Sequence, residues 1–253
     1  MQDNLNDTHP AATPEGGSRA GLAPGDQTLC RETPAWRPIG LPPAGGSIAK
    51  SDACLASGLY SASEAESLFS TLRHELFWEE REIRIFGRRM LQPRLVSYYG
   101  DPGASYCYSG ELFHPRPWTA TLDTERRQVE MLVGSSFNAV LCNLYRTGAD
   151  SMGWHSDDEA ELGERPVIAS LSLGATRRLL FRSRDPEKRD GSRGVDLQSG
   201  SLLVMAGSMQ QLYQHQIPKV KASSGVEPRI NLTFRKIIYP GSPQDFPDQR
   251  AGR

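Results

Sequence analysis

Apolar residues recur at helical spacing in two segments of the first half of the chain. The segment 61–79 begins with the Ser-x-x-Glu spacing of a capping box, at Ser61 and Glu64, and its apolar residues follow at helical intervals. The segment 121–133 ends before Gly134, a residue that commonly stops a helix. We therefore predict one helix within each segment.

Beyond Gly134 the apolar residues form short runs that are typical of β-strands. These runs are rich in β-branched or aromatic residues, several alternate with polar residues, and turn residues separate them. They occupy 137–146, 167–173, 177–181, 201–205 and 229–237. Two early helices followed by many short strands predict the α+β class, with a β-sandwich or jelly-roll core and the N-terminal helices packed on one sheet.

The first fifty residues show neither pattern. They contain seven Pro and seven Gly, with few large apolar residues. Such a segment cannot bury enough surface to offset the entropy lost on ordering. We expect a disordered tail at 1–50, a folded domain at 51–240 and a flexible C-terminal tail at 241–253.

Composition narrows the class of protein. The 253 residues have room for one domain of about 200 residues plus a tail. A formal charge of -1 means that local patches must meet any nucleic acid. Four scattered cysteines without a C-x-x-C pair argue against a zinc finger or a disulfide scaffold and fit a reducing compartment. The apolar runs are too short to predict a membrane span, and no secretory signal is visible.

The stretch WHSDDE contains a candidate metal site. His155 and Asp157 are two residues apart, so in an extended segment their side chains share one face. His215, which follows the predicted strand 201–205, is the third candidate, and spacing alone leaves His114 as an alternative. Two imidazoles and one carboxylate form the facial triad of non-haem Fe(II) oxygenases, which leaves coordination positions open.

An open triad needs a co-substrate, and the last predicted strand offers a carboxylate-binding residue. Arg229 lies fourteen residues after His215, on a strand that we expect to run beside it. Its guanidinium can hold a carboxylate through two parallel hydrogen bonds. Arg235 projects to the same face together with Asn231 and Thr233. For an arginine on its own, a surface salt bridge would be the alternative interpretation.

Several ordered motifs resemble one family. NLYRTGADSMGWHSDDEAELG, PVIASLSLGATR, GSLLVM, His215 and PRINLTFRK, with QPRLVSYYGD upstream, are similar to the AlkB family of Fe(II)- and 2-oxoglutarate-dependent nucleic-acid dealkylases. The resemblance covers about 86–239. It implies a double-stranded β-helix (jelly-roll) core within the domain 51–240, with a nucleotide-recognition hairpin lid near 81–114.

The resemblance also implies roles for individual residues. It assigns His155, Asp157 and His215 to iron. It assigns Arg229 to the distal carboxylate of 2-oxoglutarate and Arg235 to the metal-side end of that molecule, near Asp157. Four polar residues complete the expected co-substrate site: Asn143, Tyr145, Asn231 and Thr233.

The implied reaction is oxidative demethylation of 1-methyladenine and 3-methylcytosine in DNA, with RNA as a second candidate. Fe(II), 2-oxoglutarate and O2 would be required, and decarboxylation would be coupled to methyl hydroxylation and formaldehyde release. Both lesions are cationic near neutral pH and cannot pair normally. Impaired pairing lowers the cost of moving the base out of the stack, which helps an enzyme to select damage.

Six residues are candidates for contact with the base or the strand: Phe86, Tyr106, Tyr108, Trp154, Asp158 and Glu159. The two tyrosines could stack on an extruded base. The two acids could accept from its amino group, or they could be solvated turn residues. The tryptophan could line the cavity or belong to the core. The phenylalanine is expected at a hairpin tip, where an apolar wedge could enter a duplex.

Local charge supports a nucleic-acid partner. The segment 81–94 holds five Arg against one Glu, and 177–193 holds seven basic residues against three acidic ones. Two alternatives remain open: a 2-oxoglutarate oxygenase acting on a protein or small molecule, and a nucleic-acid-binding module without turnover. The expected protein is a monomer with no membrane partner, in the cytoplasm of a bacterium or the nucleus of a eukaryote.

Overall fold

Two antiparallel β-sheets enclose the central core of the protein. The structure is a computed structural model and describes residues 34–41, 52–85, 88–108, 111–189, 191–221 and 225–238. Within these residues one sheet has seven strands, the other has four, and two separate hairpins complete the β-structure. The C-terminal tail expected at 241–253 lies outside the described residues, as does most of the segment 1–50.

The elements in chain order are β1 (Trp36–Pro38), β2 (Ala53–Ala56), α1 (Ala62–Glu75), β3 (Glu82–Ile85), β4 (Arg88–Leu91), β5 (Leu95–Gly100), β6 (Tyr106–Tyr108), β7 (Glu111–Phe113), α2 (Ala120–Val133), β8 (Ala139–Tyr145), β9 (Met152–His155), β10 (Ile168–Gly174), β11 (Arg177–Ser183), β12 (Arg193–Leu197), β13 (Ser201–Met205), α3 (Met209–Leu212), β14 (Tyr213–Ile217) and β15 (Arg229–Arg235). The larger sheet has the order β1-β2-β13-β10-β15-β8-β5, and the smaller has the order β12-β11-β14-β9. β3 pairs with β4, and β6 pairs with β7.

Both predicted helices form, and local chemistry sets their ends. Ser61 and Glu64 make the reciprocal hydrogen bonds of a capping box at the start of α1. α1 ends at Glu75 rather than near Glu79, because Glu79 exchanges backbone hydrogen bonds with Val96 and draws the chain towards the sheet. α2 ends at Val133 and is capped by Gly134, which adopts the left-handed conformation that glycine tolerates. Among the described helices none is long and apolar enough to cross a membrane.

The two layers of the core follow from strand alternation. One apolar layer lies between the larger sheet and the helices α1 and α2. It includes Phe69, Leu72, Leu122 and Val129 from the helices and Val140, Leu171 and Leu232 from the sheet. The other layer lies between the two sheets, with Leu141, Tyr145 and Leu203 from the larger sheet and Leu179, Phe181 and Ile217 from the smaller one. The predicted sandwich with helices on one sheet is therefore confirmed.

The early part of the chain holds more strands than the sequence suggested. β2 precedes α1, and five short strands lie between α1 and α2. Order was also expected to begin near Ser51, but β1 already pairs with β2, and Ile39 is buried. Proline fits at β1 because an edge strand leaves one row of N–H groups unpaired. These strands have only three to six residues, too few to show a clear alternation.

The expectation that Arg229 lies on a strand beside that of His215 is wrong. β14 lies between β11 and β9 in the smaller sheet, whereas β15 lies between β10 and β8 in the larger sheet. The connection between the two strands therefore crosses from one sheet to the other. As a result, the two residues line the same cavity from different sheets.

Candidate metal and co-substrate site

The structure brings the three predicted metal ligands together. His155 ends the edge strand β9 and lies opposite His215 of β14, with the ring centroids 4.1 Å apart. Asp157 follows two residues after β9 ends. One ligand atom from each of the three residues lies within 4.8 Å of the others. A register irregularity between β9 and β14 accompanies this arrangement, as β-bulges often do beside functional sites.

The protonation states suit a divalent cation. His155 Nδ1 lies 3.0 Å from the Gly153 carbonyl and can donate to it, which leaves the Nε2 lone pair for a ligand. Burial lowers the pKa of both imidazoles, that of His215 to about 3. Burial alone would raise the pKa of Asp157, but Arg235 and the two imidazoles lower it to about 2. Neutral imidazoles and an ionised carboxylate are the forms that bind metal.

Arg235 orients the carboxylate of Asp157. Its Nη2 donates to Asp157 Oδ1 over 2.5 Å, and its Nη1 donates to the Tyr106 hydroxyl over 2.9 Å. The other carboxylate oxygen, Oδ2, lies 3.6 Å from His215 Nε2. Because Arg235 and Asp157 are both almost fully buried, this ion pair is shielded from salt and water. Oδ1 of Asp157 therefore accepts from Arg235, and Oδ2 lies on the side of His215.

The inward face of β15 forms one wall of the cavity. Arg229, Asn231, Thr233 and Arg235 all line it, as the two-residue periodicity predicted. Arg229 is 1% exposed, and its Nη2 donates to Ser172 Oγ over 2.9 Å. Its Nε and Nη1 are buried with no hydrogen-bond partner among the described residues. Burial lowers the pKa of Arg229 to about 10, so the side chain stays cationic at neutral pH and suits a carboxylate.

Strand β8 supplies two more cavity residues. Asn143 and Tyr145 both line the cavity and lie opposite Asn231 and Arg229, respectively. The Asn143 amide oxygen accepts from Arg94 Nε over 2.7 Å, which leaves its amide nitrogen as a donor. Sequence reasoning missed Arg94, because a single arginine before a strand carries no pattern that indicates burial.

The predicted stacking role of Tyr106 does not fit its position. The side chain is 0% exposed and packs against Tyr98 and Phe113, with ring centroids 5.4 and 6.0 Å away. Its hydroxyl accepts from Arg235. Tyr106 therefore lies beneath the site and offers no open face to a base. The Tyr108 side chain and Phe86 lie outside the described residues, although β3 and β4 flank Phe86 as the two strands of a hairpin.

Trp154 does not line the cavity. The Arg182 guanidinium lies 4.3 Å from its ring centroid, and Arg182 donates to Gln214 of β14. Gln214 precedes the inward-facing His215, so it projects to the outer face of the smaller sheet. Trp154 therefore packs on that outer face, and the cavity-lining prediction for this residue is wrong.

The two candidate acids differ in their surroundings. Asp158 is exposed and pairs with Arg184, which also donates to the Gln210 carbonyl over 2.9 Å. Glu159 is half-buried, and its Oε2 is buried without a hydrogen-bond partner among the described residues. Burial raises the pKa of Glu159 to about 7, although Arg235 opposes the shift. Of the two acids, Glu159 is the one whose carboxyl group is largely removed from water.

Several cations of the basic segment 177–193 already make contacts within the protein. Arg177 is buried and donates to the carbonyls of Asp150 and Pro218. Three other cations of this segment pair with carboxylates at the surface; they are Arg178 with Asp196, Arg184 with Asp158, and Lys188 with Asp185. Of these four cations only Arg177 is withdrawn from solvent, because exposed ion pairs are weak and a phosphate can replace the carboxylate.

Comparisons with known proteins place the chain in a family context. The family model described as "2OG-Fe(II) oxygenase superfamily" matches residues 52–235. The chain is 42% identical to "Alpha-ketoglutarate-dependent dioxygenase alkB homolog 3" of Bos taurus, over 74% of this chain and 66% of that protein. It is 36% identical to "DNA oxidative demethylase ALKBH2" of Homo sapiens, over 81% of this chain and 78% of the relative.

A solved structure supports the fold independently. "The structure of OsALKBH1" superposes with a TM-score of 0.54 at 16% identity, over 75% of this chain and 99% of that chain. At this level of identity the likeness concerns the fold alone, and it agrees with a jelly-roll core.

Proposed function

This chain belongs to the 2OG-Fe(II) oxygenase superfamily and, within it, to the AlkB homologues, and from that premise we propose that it demethylates alkylated bases of nucleic acid oxidatively. One observation carries the proposal. The cluster of His155, Asp157 and His215 shares a cavity with Arg229, a buried cation with two nitrogens that find no hydrogen-bond partner among the described residues. A metal and a co-substrate with a carboxylate at its far end fit this pairing.

Each metal ligand would present one defined atom. His155 would bind Fe(II) through Nε2, because its Nδ1 can donate to the Gly153 carbonyl. Asp157 would bind through Oδ2, because Arg235 holds Oδ1. His215 would bind through Nε2, the nitrogen that faces Asp157. Three protein ligands leave positions for 2-oxoglutarate and O2.

The far end of the cavity would orient 2-oxoglutarate. Arg229 would pair with its distal carboxylate, and the hydroxyl of Tyr145 would add a hydrogen bond. The Asn143 amide nitrogen, set as a donor by Arg94, would face the metal-side end. Thr233 donates to Asn231, and Asn231 donates to Ser170, so these residues would form a rigid polar wall between the two ends.

The oxidation is supplied by Fe(II), 2-oxoglutarate and O2 when bound, which yield succinate and carbon dioxide. One oxygen atom enters a C–H bond of the methyl group, and the hydroxymethyl product loses formaldehyde to restore the base. The protein contributes position and a water-poor cavity. A cationic 1-methyladenine or 3-methylcytosine would be matched by Glu159, whose half-buried carboxyl group lies two residues from Asp157.

We assign DNA as the main substrate because one relative is named a DNA oxidative demethylase, with RNA as a second candidate. The hairpins β3–β4 and β6–β7 would form the lid over the base within a catalytic domain at 51–240. Phe86, between β3 and β4, would act as a wedge if duplexes are substrates. We further propose a monomer, located in the cytoplasm of a bacterium or the nucleus of a eukaryote.

The test measures succinate and formaldehyde from single-stranded oligonucleotides that carry 1-methyladenine, with unmodified oligonucleotides and the His155→Ala variant as controls. Lesion-dependent products that vanish in the variant are expected. Succinate that requires His155 but not the lesion would instead indicate an oxygenase with a protein or small-molecule substrate. Folded, iron-loaded protein that forms no succinate would contradict the catalytic proposal and favour a binding module.

A further inference from the structure

The short helix α3 contacts the backbone of Asp157. Gln210, in this helix, is 2% exposed, and its Oε1 accepts from the Asp157 N–H over 3.0 Å. The segment 156–159 has no regular secondary structure, so no strand or helix partner is available to this N–H. A buried N–H without an acceptor is unfavourable. Gln210 therefore fixes the main chain at the point where a side chain must meet the metal.

We propose that Gln210 is a positioning residue for Asp157. The inference rests on the proposed metal-binding role of His155, Asp157 and His215. Arg235 holds the carboxylate of Asp157, and Gln210 holds its main chain. A side chain restrained at both ends has little freedom to rotate, and groups around metal ligands commonly tune metal affinity in this way.

Gln210 is itself held in place. Its side-chain Nε2 lies 3.8 Å from Met205 Sδ, and its main-chain carbonyl accepts from Arg184 Nη1 over 2.9 Å. The same Arg184 nitrogen pairs with Asp158. On the other side of Asp157, Ser156 Oγ donates to the Tyr213 carbonyl over 2.9 Å.

In the segment 156–159, which we call the ligand loop, three successive residues each contact another part of the chain. Ser156 contacts the start of β14, Asp157 contacts α3, and Asp158 contacts Arg184. These contacts join the loop to parts of the chain more than 25 residues away in sequence. The loop geometry therefore depends on α3, a four-residue helix that no sequence motif marks.

The neighbouring Gln211 provides a matched control. It belongs to the same helix, but its Nε2 donates to the Glu164 carbonyl over 2.8 Å, outside the ligand loop. A general loosening of α3 would follow from substitution of either glutamine. Loss of metal positioning should follow only from substitution of Gln210.

The test is Co(II) binding to the full-length, metal-free protein, measured by titration and by the Co(II) absorption spectrum. Gln210→Met keeps the size of the side chain but removes the acceptor, and we expect about 10- to 100-fold weaker Co(II) binding with an altered spectrum. Gln211→Met, which leaves the contact with Asp157 intact, should bind Co(II) as tightly as the parent. Circular dichroism of each metal-free variant establishes that it is folded.

Three results would overturn the inference. In the first, Gln210→Met binds Co(II) as tightly as the parent. In the second, Gln211→Met loses as much affinity as Gln210→Met, which would mean that α3 acts only as packing. In the third, the parent binds no better than Asp157→Ala, which would overturn the proposed metal site together with the role of Gln210. In the first two results the metal site itself stands.

Discussion

At the scale of single residues, the cavity depends on arginines that are buried in the protein. Arg94, Arg229 and Arg235 are each at most 3% exposed, and each donates to a different polar side chain. A guanidinium removed from water is costly unless its N–H groups meet acceptors. The Arg229 nitrogens that have no partner among the described residues therefore indicate most clearly where an anionic co-substrate binds.

Replacing this guanidinium by an ammonium tests that assignment. Arg229→Lys keeps the charge but cannot form two parallel hydrogen bonds to a carboxylate. We therefore expect the KM for 2-oxoglutarate to rise about tenfold or more. Steady-state kinetics at varied 2-oxoglutarate would measure it. Arg178→Lys, at an exposed pair with Asp196, is the control and should leave KM unchanged. An unchanged KM in Arg229→Lys would place the distal carboxylate elsewhere.

The buried position of Tyr106 leads to a second expectation. Tyr106→Phe removes the hydroxyl that accepts from Arg235, so the free energy of unfolding should fall by about 1–3 kcal/mol because a buried donor loses its partner. Denaturant unfolding of the metal-free protein would measure this change. Binding of unmodified oligonucleotide should not change, since the ring is 0% exposed. Weakened oligonucleotide binding with unchanged stability would restore the stacking role.

Residue roles could be predicted where a motif fixed the spacing. Residue type and spacing selected His155 and Asp157 but left His114 as an alternative to His215. The resemblance to the AlkB family selected His215, and the structure brings these three residues together. Trp154 was placed wrongly although strand alternation could have given the right side, because its neighbour His155 faces the cavity and adjacent strand residues point to opposite faces. Gln210 could not be predicted at all, since its role arises from a contact across 53 residues of sequence.

At the scale of elements, prediction succeeded where periodicity was long. α1 and α2, with fourteen residues each, and the seven-residue strands β8 and β15 were predicted, although α1 ends four residues before the predicted segment does. Three strands of five or six residues, β5, β12 and β14, were not predicted. Strands of three or four residues, such as β1 and β6, were missed or seen only as parts of hairpins. Pairing of β14 and β15 was also predicted wrongly, because sequence separation does not say to which sheet a strand belongs.

The cap of α1 gives a test at this scale. Ser61→Ala removes an oxygen that accepts from the Glu64 N–H, and we expect a loss of about 1 kcal/mol in the free energy of unfolding. Urea denaturation would measure it. Ser67→Ala, at an exposed position inside the same helix, should be neutral or slightly stabilising because alanine favours helices. Equal effects of the two substitutions would mean that the capping box contributes nothing specific.

At the scale of the whole molecule, the candidate site joins the two sheets. His155 and His215 come from the smaller sheet, whereas Arg229 and Arg235 come from the larger one. The Arg235–Asp157 ion pair bridges the larger sheet and the loop that follows β9. A metal bound by the smaller sheet and a co-substrate held by Arg229 would add a second bridge, so binding of the two should be coupled.

Thermal unfolding can detect that coupling. A ligand at about 100 times its Kd stabilises the folded state by about 2.7 kcal/mol, which raises Tm by about 5–10 °C for a domain of this size. We expect Co(II) alone to raise Tm, 2-oxoglutarate alone to have little effect, and the two together to exceed the effect of Co(II). Arg229→Lys should lose only the added effect of 2-oxoglutarate, whereas Asp157→Ala should lose both. Equal stabilisation by 2-oxoglutarate with and without Co(II) would show that the two ligands bind independently, and the site could not then act as one unit.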